Sequence, residues 1–278
     1  MKLLISFYLT LFLGTAFPNT PTVFVTVAPQ KGLVKELAGT MVNVQVLAPN
    51  GACPETYAPR PKQVEALSKA EAYFTLGLPF ETNWLKKVKF DGTRIHSMSE
   101  GIRFRYIRHD HGSNTEHHQE ELDPHIWTSI ENLITMAKNT KNALLTLVPS
   151  EKIRLEKNLS AFIKKALILD KDIKIKFRNM QKKKIYVFHP YYGYFMDSYG
   201  LLQAPIEADG KDPSPRQLTK MLDDMKKENV DHVLVQPGFK VRSISALQKL
   251  SKIRPVYVSI YSEAVLDNIM ELANTCRP

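Results

Sequence analysis

Between Glu151 and about Gln181 the chain carries one unbroken apolar stripe. Leu155, Leu159, Phe162, Ala166, Leu169, Ile173, Phe177 and Met180 recur at three- and four-residue steps, the period of one helix face. At 1.5 Å rise per residue such a helix extends ~46 Å, the length of a whole domain. A rod of that size sets the amino-terminal half of the chain apart from the carboxyl-terminal part. It also holds most of the basic excess: 12 Lys and Arg against 4 Asp and Glu between Glu151 and Lys184, in a chain whose formal charge is +10.

Both flanks alternate strand and helix. Before the rod, Val23–Val27 and Val42–Leu47 read as strands around a helix over Pro29–Leu37. A helix over Pro61–Lys69 and a strand over Ala72–Gly77 come next. After it come strands at Lys184–Phe188, His232–Val235 and Pro255–Ile260, with helices over Gly193–Tyr199, Arg216–Glu228, Ser243–Ser251 and Glu263–Thr275. Such alternation predicts parallel sheets. The expected fold is therefore α/β: two Rossmann-like lobes, 17–150 and 182–278, joined by one rigid helix over 151–181, with a cleft between them. Lys86 to Leu122 is polar and without clear period, and Ser129 to Leu145 restarts as helix.

Composition narrows the class. With 44% hydrophobic residues and only two cysteines in 278 residues, the chain is neither disordered nor a disulfide scaffold. Met1–Ala16 places one Lys before an apolar run that closes at Gly14-Thr15-Ala16. That layout predicts a cleaved secretory signal, too short to span a bilayer. No Cys follows the run, so a soluble periplasmic protein without a lipid anchor is expected. There Cys53 and Cys276 could form one bridge.

Histidine placement carries the chemical signal. Five of the eight histidines stand at 109, 111, 117, 118 and 125. The loop over 108–121, with His109, His111, His117 and His118 among carboxylates, reads equally as a weak metal trap or as a solvated segment. His125 and His189 differ, each next to a proline and bordered by apolar or aromatic residues. His189 closes a strand at its carboxyl end, where open α/β sheets bind ligands.

Several segments then agree in order and spacing with one known group. They are 50–59 (Asn-Gly-Ala-Cys-Pro-Glu-Thr-Tyr-Ala-Pro), Gly77-Leu78-Pro79-Phe80-Glu81, Asp123-Pro124-His125-Ile126-Trp127, 188–195 (Phe-His-Pro-Tyr-Tyr-Gly-Tyr-Phe), 210–215 (Gly-Lys-Asp-Pro-Ser-Pro) and Leu266-Asp267-Asn268. From about Thr22 onward the chain resembles the substrate-binding proteins of transition-metal ABC importers, the ZnuA/TroA-like group. The His-rich loop resembles that of the zinc-type members.

The resemblance implies a metal carrier rather than an enzyme. Its ligands would include His125 and His189, which match the family's second and third histidines. Glu55 stands where the family has its first histidine. Ser259 stands in the segment aligned with the fourth ligand, an aspartate, and would act indirectly through water. Cys53 replaces an Asp two residues before Glu55 and is read as a structural thiol before a ligand. Two imidazoles and one carboxylate favour Zn2+, with Mn2+ or Fe2+ as alternatives. The implied partners are the divalent ion and a membrane permease, with the protein a monomer.

Two other classes compete: a metal buffer or adhesin without a permease, and a metalloenzyme with a two-histidine, one-carboxylate centre. The latter leaves the importer-like segments unexplained. The basic rod also admits an anionic membrane surface or transporter rim. Nucleic acid is not expected for an exported protein without a binding motif.

Overall fold

The computed structural model describes residues 20–49, 57–86, 94–107, 121–207, 212–237 and 253–276, with Ile244, 248–249 and Ser251. The expected signal over 1–16, Cys53, Glu55 and the four loop histidines lie outside these residues, as does most of the helix expected at Ser243–Ser251.

The first lobe runs β1 (Thr22–Val25), α1 (Ala28–Ala38), β2 (Asn43–Val46), α2 (Pro61–Ser68), β3 (Ala72–Thr75), α3 (Pro79–Leu85) and β4 (Ile95–Ser97). Each strand is short, and the central β1 and β3 are buried almost throughout, as strands covered by helices on both faces must be. Local chemistry starts the helices. Pro29 occupies the first turn of α1, and the Gln30 side chain accepts the N–H groups of Thr26 and Val27 at 2.9 and 3.0 Å. Gly39, at φ 55°, ends that helix with its N–H on the Lys35 carbonyl, a conformation that favours glycine.

After the hairpin of β5 (Tyr106–Ile107) and β6 (Glu121–Leu122), a single 3₁₀ turn (Ile126–Thr128) leads into α4 (Ile130–Leu147) and then α5 (Lys152–Phe177). The second lobe is β7 (Lys184–Val187), α6 (Gly193–Ser198), β8 (Leu202–Pro205), α7 (Pro215–Lys227), β9 (His232–Val235), β10 (Arg254–Tyr257) and α8 (Val265–Thr275).

Both sheets are parallel. Their strand orders, β2-β1-β3-β4 and β10-β9-β7-β8, are the same winding used twice. In each, the lobe's first strand lies between its second and third, so the chain reverses direction of travel across the sheet at that point. Ligand crevices of open α/β sheets form at such reversals, at the carboxyl ends of the strands.

The lobes are not separate bodies hung on a rod. One apolar cluster contains Val25 and Phe74 of the first sheet, Leu133 and Met136 of α4, Phe162 and Phe177 of α5, and Val187, Phe195, Ile260 and Leu272 of the second lobe. Smaller clusters around Tyr73 and around Met225 cover the outer faces of the two sheets.

Four expectations need correction. Helix α5 stops at Phe177, short of Gln181: the Met180 N–H turns back to the Phe177 carbonyl, and Lys182 adopts φ 62°. The aperiodic stretch after Lys86 contains an edge strand, β4, three residues long and read by neither period nor composition. The second sheet gains β8, and the first lobe gains α3, neither expected. Cys276 is a free thiol, 1% exposed, and Cys53, with which the sequence left a bridge open, lies outside the described residues. Burial pushes this thiol well above its usual range.

A backbone contact locks α1 against the second lobe. A methyl group placed on Gly32 would lie 1.7 Å from the Glu263 carbonyl oxygen, while Lys31 and Lys35 clasp the Glu263 carboxylate at 2.9 and 2.7 Å. Alanine in a helix interior normally gains about 1 kcal/mol over glycine. Here the obstacle is backbone and cannot rotate away. Gly32→Ala is therefore expected to destabilise by about 3 kcal/mol, a sign opposite to propensity, read from urea unfolding.

Candidate metal centre

His125 and His189 come from positions 64 residues apart and meet between the lobes. Their ring centroids are 5.8 Å apart with planes at 81°. His125 sits at the start of the 3₁₀ turn before α4. His189 follows β7, the strand at the second sheet's reversal point.

Each ring is held by a carboxylate on the same atom. Asp123 Oδ1 accepts both the backbone N–H and the ring Nδ1–H of His125, at 3.0 and 2.7 Å. The His125 carbonyl in turn takes the Thr128 hydroxyl at 2.8 Å, so main chain and ring are pinned together. His189 Nδ1 bonds Glu207 Oε1 at 2.5 Å. Glu207 stands just beyond β8, and its N–H bonds the Phe188 carbonyl at 3.0 Å. With Nδ1 engaged as donor, Nε2 carries the lone pair on both rings. Both Nε2 atoms are buried, and that of His189 has no hydrogen-bond partner among the described residues.

Aromatic rings wall the pair. Tyr191 packs 4.8 Å from His125 and 4.0 Å from His189, and Trp127 lies 5.5 Å from His125. Tyr261 closes the group against Trp127 and Tyr191. The Trp127 indole N–H bonds the Ile260 carbonyl of the other lobe at 2.9 Å. The His125 side chain is 1% exposed and that of His189 15%, so little water reaches either imidazole.

Arg105 ties this arrangement across the lobes. Its guanidinium bonds Asp123 Oδ2 at 2.7 Å and Asp197 of α6 at 2.9 Å. Its backbone N–H reaches the Tyr194 hydroxyl at 3.1 Å, and that hydroxyl donates to the Asp123 carbonyl at 3.0 Å. Gly193 makes room for the arginine, since a methyl group there would overlap the guanidinium. Burial pushes the Asp123 carboxyl up. The hydrogen bonds from His125 and the charge of Arg105 outweigh it, and the net displacement is below the ordinary carboxylate value.

The remaining expected ligands fare differently. Ser259 lies just beyond β10, where its hydroxyl accepts the Tyr261 N–H at 3.2 Å and meets the Gln236 amide at 3.4 Å. Glu55 lies outside the described residues, as do His109, His111, His117 and His118. Among the described residues no group of three or more His, Cys, Asp and Glu side chains is arranged to hold an ion. Glu207 and Arg105 escaped the sequence reading because neither stands in a short motif with the residue it serves. Asp123, two residues before His125, had such a signal.

Paired parallel sheets wound alike, a shared core and an imidazole pair at the lobe boundary define a two-lobed solute-binding protein. The family model for the periplasmic zinc-uptake complex component A, ZnuA, matches residues 23–272, and the chain belongs to that family. A crystal structure of ZnuA superposes with a TM-score of 0.83 at 29% identity, covering 92% of this chain and 97% of that one. A manganese ABC transporter substrate-binding lipoprotein, scaA of Streptococcus gordonii, is 29% identical over 84% of this chain and 77% of its own length. An iron ABC transporter substrate-binding lipoprotein, MtsA of Streptococcus pyogenes serotype M1, is 28% identical over 95% and 90%. The protein is thus a metal-binding component of an ABC transporter acting outside the cytoplasm, not an enzyme.

The Arg105–Asp123 pair is a structural requirement of the centre. Asp123 is fully buried, and removing its cation leaves an uncompensated charge. Arg105→Ala is expected to cost about 3 kcal/mol. Asp197→Ala, whose carboxylate is mostly exposed, should cost under about 1 kcal/mol. Thermal and urea unfolding of the two variants measure the difference.

Proposed function

We propose that the protein captures one zinc ion at the lobe boundary through His125, His189 and Glu55 and hands it to the membrane permease of its transporter. The observation that carries this reading is the pair of imidazoles, His125 buried and His189 largely so, each anchored through Nδ1 to a carboxylate. Ligating histidines are characteristically oriented in this way, with the second nitrogen left for the metal. Zinc bonds imidazole nitrogen at about 2.0–2.1 Å, which puts the centroids of two rings sharing a tetrahedral ion about 5.2 Å apart. The observed 5.8 Å exceeds that by about half an ångström, a shift small enough for the rings to close on an ion.

Glu55 supplies the carboxylate that offsets part of the ion's charge, and a water completes a tetrahedral shell. Ser259 assists only indirectly, since its hydroxyl already caps the Tyr261 N–H. Lobe limits near 150 and 182, export through the leader over 1–16 into the periplasm, and action as a monomer belong to the same reading.

Manganese is the second reading, favoured by the names of streptococcal relatives such as PsaA of Streptococcus pneumoniae, at 27% identity. A harder cation calls for an oxygen-rich shell, whereas the two donors described are nitrogens. Affinity order alone does not separate the readings, because any nitrogen–oxygen site prefers zinc to manganese. Coordination number does. The cobalt(II)-substituted protein is expected to show the intense visible bands of a tetrahedral ion, and weak octahedral bands would overturn the zinc assignment.

Titration of the metal-free protein tests the ligands. His125→Ala and His189→Ala should each abolish the tight site, Asp123→Asn and Glu207→Gln should weaken it about 10–100-fold, and Ser259→Ala should change it little. Undiminished affinity in both histidine variants would reject the site.

The loop histidines His109, His111, His117 and His118 are assigned to a weaker, separate capture of metal. Deleting residues 109–118 is expected to lower the number of ions bound while leaving the tight site's affinity unchanged. Isothermal titration reads both quantities.

A further inference from the structure

Helix α5 has a second face that the core does not use. The buried stripe of Leu155, Phe162, Ala166, Leu169, Ile173 and Phe177 packs inward. Opposite it, Ile153, Lys157, Ser160, Lys164, the adjacent pair Leu167 and Ile168, Lys171, Ile175 and Arg178 follow at three- and four-residue steps on either side of that pair, so they too form one line along the rod. Ile153, Leu167, Ile168 and Ile175 are 83%, 53%, 54% and 61% exposed. Around Leu167 and Ile168, together with Ile163, Lys164 and Lys171, the surface forms a shallow groove.

Charge on this line has one sign. The acidic residues of the helix, Glu156, Asp170 and Asp172, fall on its flanks. Its ion pairs, Arg154–Glu151, Lys165–Glu36 and Lys174–Asp170, use residues off the line. No carboxylate therefore interrupts the row of aliphatic and basic side chains. That row is ~39 Å long at 1.5 Å per residue. No helix among the described residues is long and apolar enough to cross a membrane.

We propose that this face of α5 is a peripheral docking surface for an anionic lipid bilayer. Aliphatic side chains at the centre of an amphipathic face, flanked by lysines that extend their ammonium groups to headgroup level, are the pattern of helices that lie in a membrane interface. A protein partner fits less well. Protein interfaces concentrate Tyr, Trp and Arg and are depleted of Lys, and this row has no aromatic residue and three lysines. The long basic helix that joins the lobes thereby also holds the carrier at the surface where its permease resides.

Vesicle sedimentation tests the surface directly. The purified chain is mixed at low salt with phosphatidylcholine vesicles, with or without about 30 mol% phosphatidylglycerol. Binding is expected to the anionic vesicles alone and to fall as salt rises. Lys164→Gln with Lys171→Gln should weaken it about thirtyfold, and Leu167→Gln with Ile168→Gln at least about tenfold. Lys220→Gln with Lys226→Gln, on α7, should leave it within about threefold.

All of these side chains are exposed, so unchanged unfolding midpoints and unchanged metal titrations are expected for every variant. Equal binding to neutral and anionic vesicles, or equal loss in the α7 variant, overturns the proposal. So does self-association in solution that Leu167→Gln with Ile168→Gln removes while anionic vesicles go unbound, since the occupant is then a second copy of the chain.

Discussion

A buried imidazole has two nitrogens to satisfy, and this constraint organises the centre of the molecule. Asp123 and Glu207 each take the Nδ1 hydrogen of one histidine, which sets the tautomer and points the lone pair of Nε2 away from the carboxylate. The carboxylates then become the problem, because a buried negative charge requires compensation of its own. Arg105 answers it for Asp123 and in doing so reaches α6 of the second lobe. The orientation of a ring in one half of the protein is therefore coupled, through a single guanidinium, to the position of the other half.

That coupling agrees with how the lobes are packed. Their inner faces share one apolar cluster with α4 and α5, and Gly32 admits the Glu263 backbone closely enough to exclude any side chain. A wide hinge opening would have to expose this core, at ~25 cal/mol per Å2 of apolar surface. A binding site held so rigidly limits the ordering cost of taking up a ligand. For the proposed ion site, release by small displacements of a few ligands is then less costly than parting the lobes.

Much of this was legible in the chain. Period alone located α5, and strand β9 was read to the residue, because short β-branched runs between turn formers have few alternatives. His125 and His189 were marked by their proline and aromatic neighbours. The misses have physical causes. Strand β4 is a sheet edge three residues long, sustained by pairing with β3 rather than by its own pattern. Strand β8 ends in a proline, which speaks against a strand locally but is tolerated on the outer strand of a sheet. Glu207 and Arg105 act across the fold, 18 residues or more from their partners, at distances where sequence spacing carries no geometric information.

The two lobes repeat one winding, yet among the described residues only the second has an imidazole at its reversal point. In the first lobe the corresponding ends of β1 and β3 are filled by the protein itself. Gln30 bonds Thr26 N–H, Val27 N–H and the Phe74 carbonyl. Glu81, 1% exposed, accepts the N–H groups of Leu76, Gly77 and Leu78 and the Thr26 hydroxyl. Burial raises the Glu81 carboxyl above its ordinary value, and these hydrogen bonds only partly offset it. Such a group is tolerable only while every donor stays in place, which holds the ends of β1 and β3 rigid. With these strand ends occupied by Gln30 and Glu81, the first lobe presents its imidazole from another element. It is supplied by His125 on the 3₁₀ turn at the entrance to α4, the helix pair on which both lobes rest. Among the described residues the asymmetry of the site thus follows from one difference: hydrogen-bonded Gln30 and Glu81 occupy the ends of β1 and β3, while His189 follows the end of β7.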